Sequence, residues 1–249
     1  MRPLLAYDEI FLSPHLDDAA LSCGGQIAQA TRHGAKVLVI TVFTGDAPAG
    51  ELSPLASELH GLWDAGENPF PLRREEDRES CAILGADWEH WNFPDAIYRR
   101  DSQGRWLYPS RRELFEAPDP ADAVLQAELE RRLSALSGLA VRGPLAVGGH
   151  VDHRLVRSAL EAAALPGLEL YEDYPYARSR KHRWLARGFF RGWSTRTLPL
   201  EAADLETKIA AISVYVSQLG PVFDSGHDLR REIEKFARTR GGERLYSRQ

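Results

Sequence analysis

Length, composition and charge already narrow the class of protein. The chain has 249 residues, of which 43% are hydrophobic and 27% charged, with a formal net charge of −5. This predicts a folded α/β protein with a proper core, and the acidic balance argues against nucleic acid as a partner. No apolar run approaches the ~20 residues of a membrane span. The N-terminus lacks the apolar stretch of a signal peptide, so we expect a cytoplasmic protein.

Short apolar runs bounded by turn or cap residues are typical of buried parallel strands. These runs are residues 9–12, 36–42, 88–93, 144–147 and, more weakly, 168–171. Helical patterns occupy about 18–33, 73–85, 120–138, 152–164 and 201–218. This alternation predicts a Rossmann-like, doubly wound, mostly parallel sheet with helices on both faces. We expect a single domain over residues 1–249, with a core at about 8–175 and a C-terminal extension at about 176–249.

Two long stretches interrupt this regular pattern. Residues 44–72 are rich in proline and glycine, and residues 94–119 place aromatic side chains among arginines and prolines. Loops of this length in a compact domain tend to be lids or binding loops. A family-specific decoration without a function is the alternative.

Both cysteines fall in predicted helices. Cys23 and Cys81 are far apart and lack the spacing of a zinc or redox motif. This favours two buried free thiols over a disulfide.

The first predicted strand runs directly into a polar cluster of His15, Asp17 and Asp18. Ligands of open parallel sheets bind outside the carboxyl ends of the strands, so chemistry is expected here. Imidazole and carboxylate are zinc ligands. The side chains of adjacent aspartates diverge, which leaves one of them as a separate general base. The alternative is a helix N-cap, for which aspartate is a preferred residue.

A second polar cluster, His150, Asp152 and His153, follows two glycines at the end of the fourth predicted strand. Residues three apart share a helical face, so both imidazoles can face one point. A carboxylate such as Asp152 would offset the cost of a protonated His150 at a helix N-terminus. Capping or surface histidines are the alternative, because His-x-x-His alone is a weak signal.

Topology joins the two clusters. In the doubly wound strand order 3-2-1-4-5, strands 1 and 4 are neighbours at the point where the crevice opens. The clusters end those two strands, so we expect them to face each other across the crevice and form one site.

At these residues the sequence resembles the PIG-L/LmbE family of zinc-dependent N-deacetylases. Residues 15–19 are similar to the family's His-Pro-Asp-Asp-Glu motif, and residues 150–153 to its His-x-Asp-His motif. Residues 73–76 are similar to its Arg-x-x-Glu helix, with Arg73 and Glu76 as the matching pair. The resemblance covers roughly residues 8–175.

The resemblance implies a role for each motif residue. One Zn²⁺ per chain, or another divalent transition metal, would be held by His15, Asp18 and His153. Asp17 would be the general base. His150 would stabilise the oxyanion or protonate the leaving amine, and Asp152 would orient it.

Two positions depart from the family motif. Leu16 stands where proline is usual, and Ala19 where glutamate is usual. Neither is an implied metal ligand. Loss of the glutamate removes a carboxylate that would support the ligands from behind, and such support can change metal affinity or activity by 10–100-fold.

The implied reaction is hydrolysis of an N-acetyl group on an N-acetylglucosamine-containing small molecule, which releases acetate and a free amine. Arginine and aromatic side chains give candidate contacts to such a sugar. These contacts are Arg73, Trp106 and Tyr174. Ordinary packing is the alternative for the aromatic residues. The sequence leaves the oligomeric state open, a homo-oligomer included.

Two other classes of function compete with an amide hydrolase. A Rossmann-type nucleotide-dependent transferase is disfavoured because no Gly-x-Gly-x-x-Gly or Walker loop follows the first strand. A non-enzymatic module with a structural metal is disfavoured because such sites normally use four protein ligands, whereas the pattern offers three and additional acid–base groups.

Overall fold

The computed structural model describes residues 3–64, 66–179, 192–223 and 228–248. Its strands are β1 (Glu9–Ser13), β2 (Val37–Thr41), β3 (Asp87–His90), β4 (Val141–Pro144), β5 (Glu169–Tyr171), β6 (Trp193–Leu198) and β7 (Glu243–Arg248). Its α-helices are α1 (Asp18–Arg32), α2 (Pro54–Trp63), α3 (Phe70–Leu84), α4 (Ala123–Ser134), α5 (Val151–Ala162), α6 (Ala202–Ser213), α7 (Val216–Val222) and α8 (Leu229–Arg240).

The strands form one mostly parallel sheet in the order β3-β2-β1-β4-β5-β7-β6. β1 to β5 pair in parallel, while β7 runs antiparallel to both β5 and β6. The predicted α/β fold is confirmed, including the order 3-2-1-4-5. The antiparallel pair at one edge was not predicted.

Helices cover both faces of the sheet because successive strand residues point to opposite sides. Phe11 and Val39 pack on the side of α1, α3 and α6. Ile10, Leu12 and Ile40 pack on the side of α4 and α5. The inner strands β1, β2 and β4 therefore have almost no solvated face, and β1 and β2 consist mostly of apolar residues, as parallel strands usually do.

The structure corrects three predicted segments. The fourth strand spans Val141–Pro144 and not 144–147, because the chain leaves the sheet there and Ala146 takes a positive φ of 57°. The predicted loop 44–72 contains α2, which Ser53 caps by accepting a hydrogen bond from the Ala56 N–H. Residues 201–218 form two helices, α6 and α7.

The C-terminal part of the chain packs against α1. The Glu243 carboxylate accepts hydrogen bonds from the N–H groups of Gly25 and Gln26 in the middle of that helix, and it pairs with Lys208 at 2.6 Å. A Cβ at Gly25 would lie 2.4 Å from a methyl group of Leu200. The two glycines in α1 are thus explained by close packing. Residues 180–191 and 224–227 of the predicted extension lie outside the described residues.

The structure also bears on the expected free thiols and on the question of membrane-spanning helices. Cys23 in α1 and Cys81 in α3 are both buried free thiols, as predicted. Among the described residues, every helix is too short or too polar to cross a membrane.

Candidate active site

The first polar cluster lies in the turn between β1 and α1. Ser13 fixes this turn, because its hydroxyl donates to the His15 carbonyl (2.6 Å) and accepts the Ala19 N–H (3.0 Å). Asp17 occupies the N-cap position of α1, yet its side chain accepts no capping hydrogen bond. Asp17 is only 8% exposed and therefore buried. A helix cap does not account for this residue.

The second polar cluster lies at the start of α5. His150 is the N-cap residue, and its Nδ1 accepts a hydrogen bond from the Asp152 N–H at 3.2 Å. Gly149 precedes it with a φ of 79°, a conformation that favours glycine. All three polar residues of the cluster are buried.

The two clusters meet at the carboxyl ends of β1 and β4. The ring centroids of His15, His150 and His153 lie 5.0 to 5.5 Å apart. Oδ2 of Asp18 lies 3.2 Å from Nδ1 of His15 and 3.2 Å from Nε2 of His153. The structure thus brings together the three implied metal ligands, although they come from distant parts of the chain.

These three residues fit a divalent metal ion. Bonds of about 2.0–2.1 Å in a tetrahedral zinc site place neighbouring ligand atoms about 3.3 Å apart, close to both 3.2 Å separations around Asp18. Nε2 of His153 is buried and has no hydrogen-bond partner among the described residues. A buried nitrogen of this kind is costly unless it binds something. Two imidazoles and a carboxylate are a donor set that zinc accepts.

Carboxylates hold the far sides of the two ligand histidines. Nδ1 of His153 lies 2.6 Å from Asp173 Oδ1, and Nε2 of His15 lies 2.9 Å from Asp152 Oδ2. Each contact leaves the other ring nitrogen to face Asp18. Such outer contacts fix the tautomer and the orientation of metal-binding histidines.

Asp152 therefore lies differently from the expectation that its carboxylate orients His150. The carboxylate contacts His15 and accepts hydrogen bonds from Arg99 Nη1 (2.6 Å) and the Ala96 N–H (3.1 Å). Only the backbone N–H of Asp152 contacts His150. The helix start turns the backbone toward His150 and the side chain toward the neighbouring strand.

Nδ1 of His150 is an acceptor, so a neutral His150 carries its proton on Nε2. Burial, followed by the nearby charge of His15, lowers the pKa of His150 well below its usual range. The imidazole is therefore a neutral donor and not a protonated acid in this arrangement.

The two adjacent aspartates have different electrostatic environments. Burial, followed by the charge of Asp18, raises the pKa of Asp17 to about 7, against the opposing effect of Arg73. Burial also acts to raise the pKa of Asp18, but His153 and His15 outweigh it and hold that pKa well below its usual range. Two neighbouring carboxyls with separated pKa values suit separate chemical roles.

The candidate substrate contacts fall in three different places. Arg73 is 3% exposed, and its guanidinium lies over the rings of Trp63 (4.6 Å) and Phe70 (5.3 Å). Its positive charge acts to lower the pKa of Asp17. Trp106 lies in the 94–119 loop. The guanidinium carbon of Arg100 lies 3.5 Å from the centroid of the Trp106 ring.

Tyr174 lies in the core. It is fully buried, with ring contacts to Phe223 and Phe236, so its side chain offers no surface to a sugar. Tyr176, two residues later, lies against His153 with ring centroids 5.7 Å apart. Of these two tyrosines, Tyr176 is therefore the one beside the histidines.

Phe115 is a further residue that the sequence analysis did not identify. It is 42% exposed and lies 5.6 Å from His150 and 6.0 Å from Tyr176, ring centroid to ring centroid. These rings form a wall beside the two histidines of α5. Asp173 and Tyr176 follow β5, so the strand-end rule could have found them. Asp95, 3.8 Å from His15 Nε2, and Phe115 lie in the long loop, where no pattern distinguished them.

Comparison with known proteins agrees with this geometry. The model of the PIG-L family, described as GlcNAc-PI de-N-acetylase, matches residues 10–164, which is more than half of the chain. The chain belongs to the PIG-L family. The match includes both polar clusters, and residues 165–248 lie outside it.

Individual PIG-L relatives are similar to most of the chain. A 2'-N-acetylparomamine deacetylase of Niallia circulans is 31% identical over 235 residues, which cover 86% of this chain and 82% of the relative. A protein of Streptomyces fradiae with the same name is 38% identical over 178 residues, 69% of this chain but only 58% of the relative. The crystal structure of a zinc-inhibited form of teicoplanin deacetylase Orf2 superposes with a TM-score of 0.81 at 30% identity, covering 97% of this chain and 98% of that one.

Proposed function

We propose that this PIG-L protein uses a bound divalent metal ion, zinc by preference, to hydrolyse the N-acetyl group of an acetylated amino sugar in a small-molecule conjugate. The observation that carries the proposal is the position of Asp18 Oδ2, 3.2 Å from one nitrogen of each of two histidines. An uncapped, buried Asp17 lies next to it. This combination supplies a metal site and a separate base.

His15, Asp18 and His153 would hold the ion. When bound, a divalent ion acts as a Lewis acid that polarises an acyl oxygen and lowers the pKa of water. Asp152 and Asp173 keep His15 and His153 in position through their 2.9 Å and 2.6 Å contacts. The negative charge of these two carboxylates also increases the basicity of the histidines.

Asp17 acts as the base. Its carboxylate takes a proton from the attacking water as the new carbon–oxygen bond forms at the acetyl carbonyl. His150 donates its Nε2 proton in a hydrogen bond to the oxygen on which negative charge develops. The proton held by Asp17 then passes to the amine nitrogen as the carbon–nitrogen bond breaks. The products are acetate and the free amino sugar.

Arg73 is the candidate contact to the sugar. It is buried, its charge acts on Asp17, and its Nε has no hydrogen-bond partner among the described residues. A hydroxyl of the substrate would satisfy this donor. Tyr176 and Phe115 would line the sugar on the side of His150 and His153.

A substrate panel tests the proposal. The metal-loaded protein is incubated with N-acetylglucosamine, 2'-N-acetylparomamine and an N-acetylglucosaminyl glycopeptide pseudoaglycone, and the release of amine and acetate is measured. We expect equal amounts of both products from at least one of them. A protein that binds no divalent metal, or that releases no amine from any of them, would refute the proposal.

An Asp17→Asn variant separates the base from the metal site. We expect it to keep its metal and to lose about 10²–10⁴-fold in kcat, the usual contribution of a general base. Asp64→Asn, at the exposed C-cap of α2, is the control and should behave as the wild type. Normal turnover by Asp17→Asn would rule out Asp17 as the base.

A further inference from the structure

A small cavity adjoins Asp17. Its walls are Asp17 and Leu21 of the β1–α1 region, Ile212 of α6, and Tyr215, Gln218, Leu219 and Phe223 in and around α7. Its volume is about 10 Å³, which is enough for about one water-sized sphere. The lining is mostly apolar, so the cavity suits a methyl group better than a water molecule.

Two carboxylates of α3 hold residues 215–217, of which Tyr215 lines the cavity. Glu76 accepts hydrogen bonds from the Ser217 N–H (2.9 Å) and the Ser217 hydroxyl (2.5 Å). Asp77 accepts one from the Tyr215 hydroxyl at 2.7 Å. All of these groups are buried. These hydrogen bonds fix the position of Tyr215 on one side of the cavity.

We propose that this cavity receives the methyl group of the scissile acetyl group and restricts hydrolysis to short acyl chains. The inference rests on the proposed function. The water activated by Asp17 attacks the carbonyl carbon, and the methyl carbon is one bond of about 1.5 Å from that atom. The methyl group must therefore lie close to Asp17, which lines this cavity together with the apolar side chains of Leu21, Ile212, Leu219 and Phe223.

The lining residues then limit the length of the acyl chain that can bind. A propionyl group adds one methylene, for which the cavity has no room, so it must press against Ile212, Leu219 or Phe223. A misfit of one methylene in a hydrophobic pocket typically changes kcat/KM by about 10–200-fold. Most of the wall lies beyond residue 164 and thus outside the family match. Acyl specificity is in this way assigned to the C-terminal extension, while the metal and the base belong to the family core.

A pair of matched variants tests the inference. Ile212→Val removes one methyl group from the cavity wall, and Ile209→Val makes the same change three residues earlier in α6. Both side chains are buried, at 1% and 6% exposure, but only Ile212 lines the cavity. The kcat/KM of each protein is measured on paromamine carrying a 2'-N-acetyl, N-propionyl or N-butyryl group.

We expect the wild type to prefer acetyl over propionyl by 10-fold or more. Ile212→Val should raise the propionyl-to-acetyl ratio several-fold, whereas Ile209→Val should leave it unchanged. Leu219→Phe fills the cavity and should lower the rate on the acetyl substrate while sparing an N-formyl substrate. Thermal unfolding of each variant shows whether it is folded.

Three results would overturn the inference. Equal wild-type rates on acetyl and propionyl substrates would mean that the cavity does not measure the acyl chain, although the deacetylase proposal would stand. Equal shifts in Ile212→Val and Ile209→Val would assign the effect to general loosening of α6. Failure to release amine from the acyl paromamines and from the other substrates of the panel would refute the proposed function and this inference with it.

Discussion

At the scale of single residues, the arrangement of His153 is the most informative. One ring nitrogen is 2.6 Å from Asp173, and the other is buried, 3.2 Å from Asp18, and has no hydrogen-bond partner among the described residues. A histidine that only stabilised the fold would have both nitrogens satisfied. His90 also bonds to an aspartate, with its Nε2 at 2.8 Å from Asp77, but it belongs to no metal-binding group among the described residues. Two buried Asp–His pairs thus serve different purposes.

The two pairs give a matched prediction. Asp173→Asn removes the charge behind His153, so we expect zinc affinity to fall by about 10–100-fold. Asp77→Asn makes the same change behind His90 and should leave zinc affinity unaltered. Competition with a chelator of known affinity measures both. Equal affinity in wild type and Asp173→Asn would show that Asp173 does not support a metal ligand.

Sequence patterns identified the polar residues that follow strands, but not the residues that those side chains contact. His15, Asp17, Asp18, His150 and His153 stood out because each follows a predicted strand closely. The side-chain direction of Asp152 did not follow from its position, since a residue in the first turn of a helix can face either neighbouring strand. The wall residue Phe115 was equally hidden, because a long loop has no periodicity to fix which side chains turn inward.

At the scale of elements, the turn after β4 depends on a close contact. A Cβ at Gly148 would lie 2.2 Å from Cγ of Tyr176, whose ring packs against His153. Tyr176 follows β5, and Gly148 follows β4, so the two carboxyl-end loops can touch only because one of them has no side chain. The same close approach fixes the aromatic wall beside the histidines.

We therefore predict that Gly148→Ala displaces Tyr176. The clash should cost about 1–3 kcal/mol in the free energy of unfolding and should raise KM for the acetylated substrate. Gly61→Ala is the control, because Gly61 lies in the last turn of α2 and no atom of the described residues lies within 4 Å of the added Cβ. That substitution should stabilise the protein by about 0.5–1 kcal/mol. Urea denaturation measures both, and an unchanged stability of Gly148→Ala would show that the added methyl group meets no clash.

The elements themselves were predictable where burial is uniform. β1, β2 and α1 match the prediction to within a residue or two because apolar runs and caps define them. The helix α2 was missed, since Pro54 and Gly61 are turn signals unless Pro54 is recognised as the first residue of a helix. β6 and β7 were missed because β6 is an edge strand with exposed polar residues, and such strands lack an apolar run.

At the scale of the whole molecule, the C-terminal extension completes the core on one face of the sheet. Ile209, Ile212 and Leu245 pack in the same buried cluster as Phe11 and Val39. The Lys208–Glu243 pair, both buried, ties α6 and β7 to α1. Removing one partner of such a pair is strongly destabilising because it leaves a buried charge. On this packing we expect the chain to unfold as one unit.

The reactivity of the two cysteines can test whether the protein unfolds as one unit. Cys23 is fully buried and Cys81 is 2% exposed, both in the core that the extension covers. Burial is the main cause that raises the pKa of each thiol well above its usual range. The folded protein should therefore give no reaction with a thiol reagent at pH 8, since the thiolate is the reactive form. In the unfolded chain the pKa returns to about 8.5 and both thiols should react.

The difference in thiol reactivity between the folded and the unfolded chain can be followed during unfolding. Across a urea titration, the reactivity of Cys23 and Cys81 and the far-UV circular dichroism should change with one midpoint, the sign of a two-state transition. Stability should also decline as pH rises past about 8.5, because the unfolded chain then loses protons that the buried thiols retain. If the thiols became reactive at a lower urea concentration than the loss of helix signal, the extension would be unfolding separately and the single-domain prediction would fail.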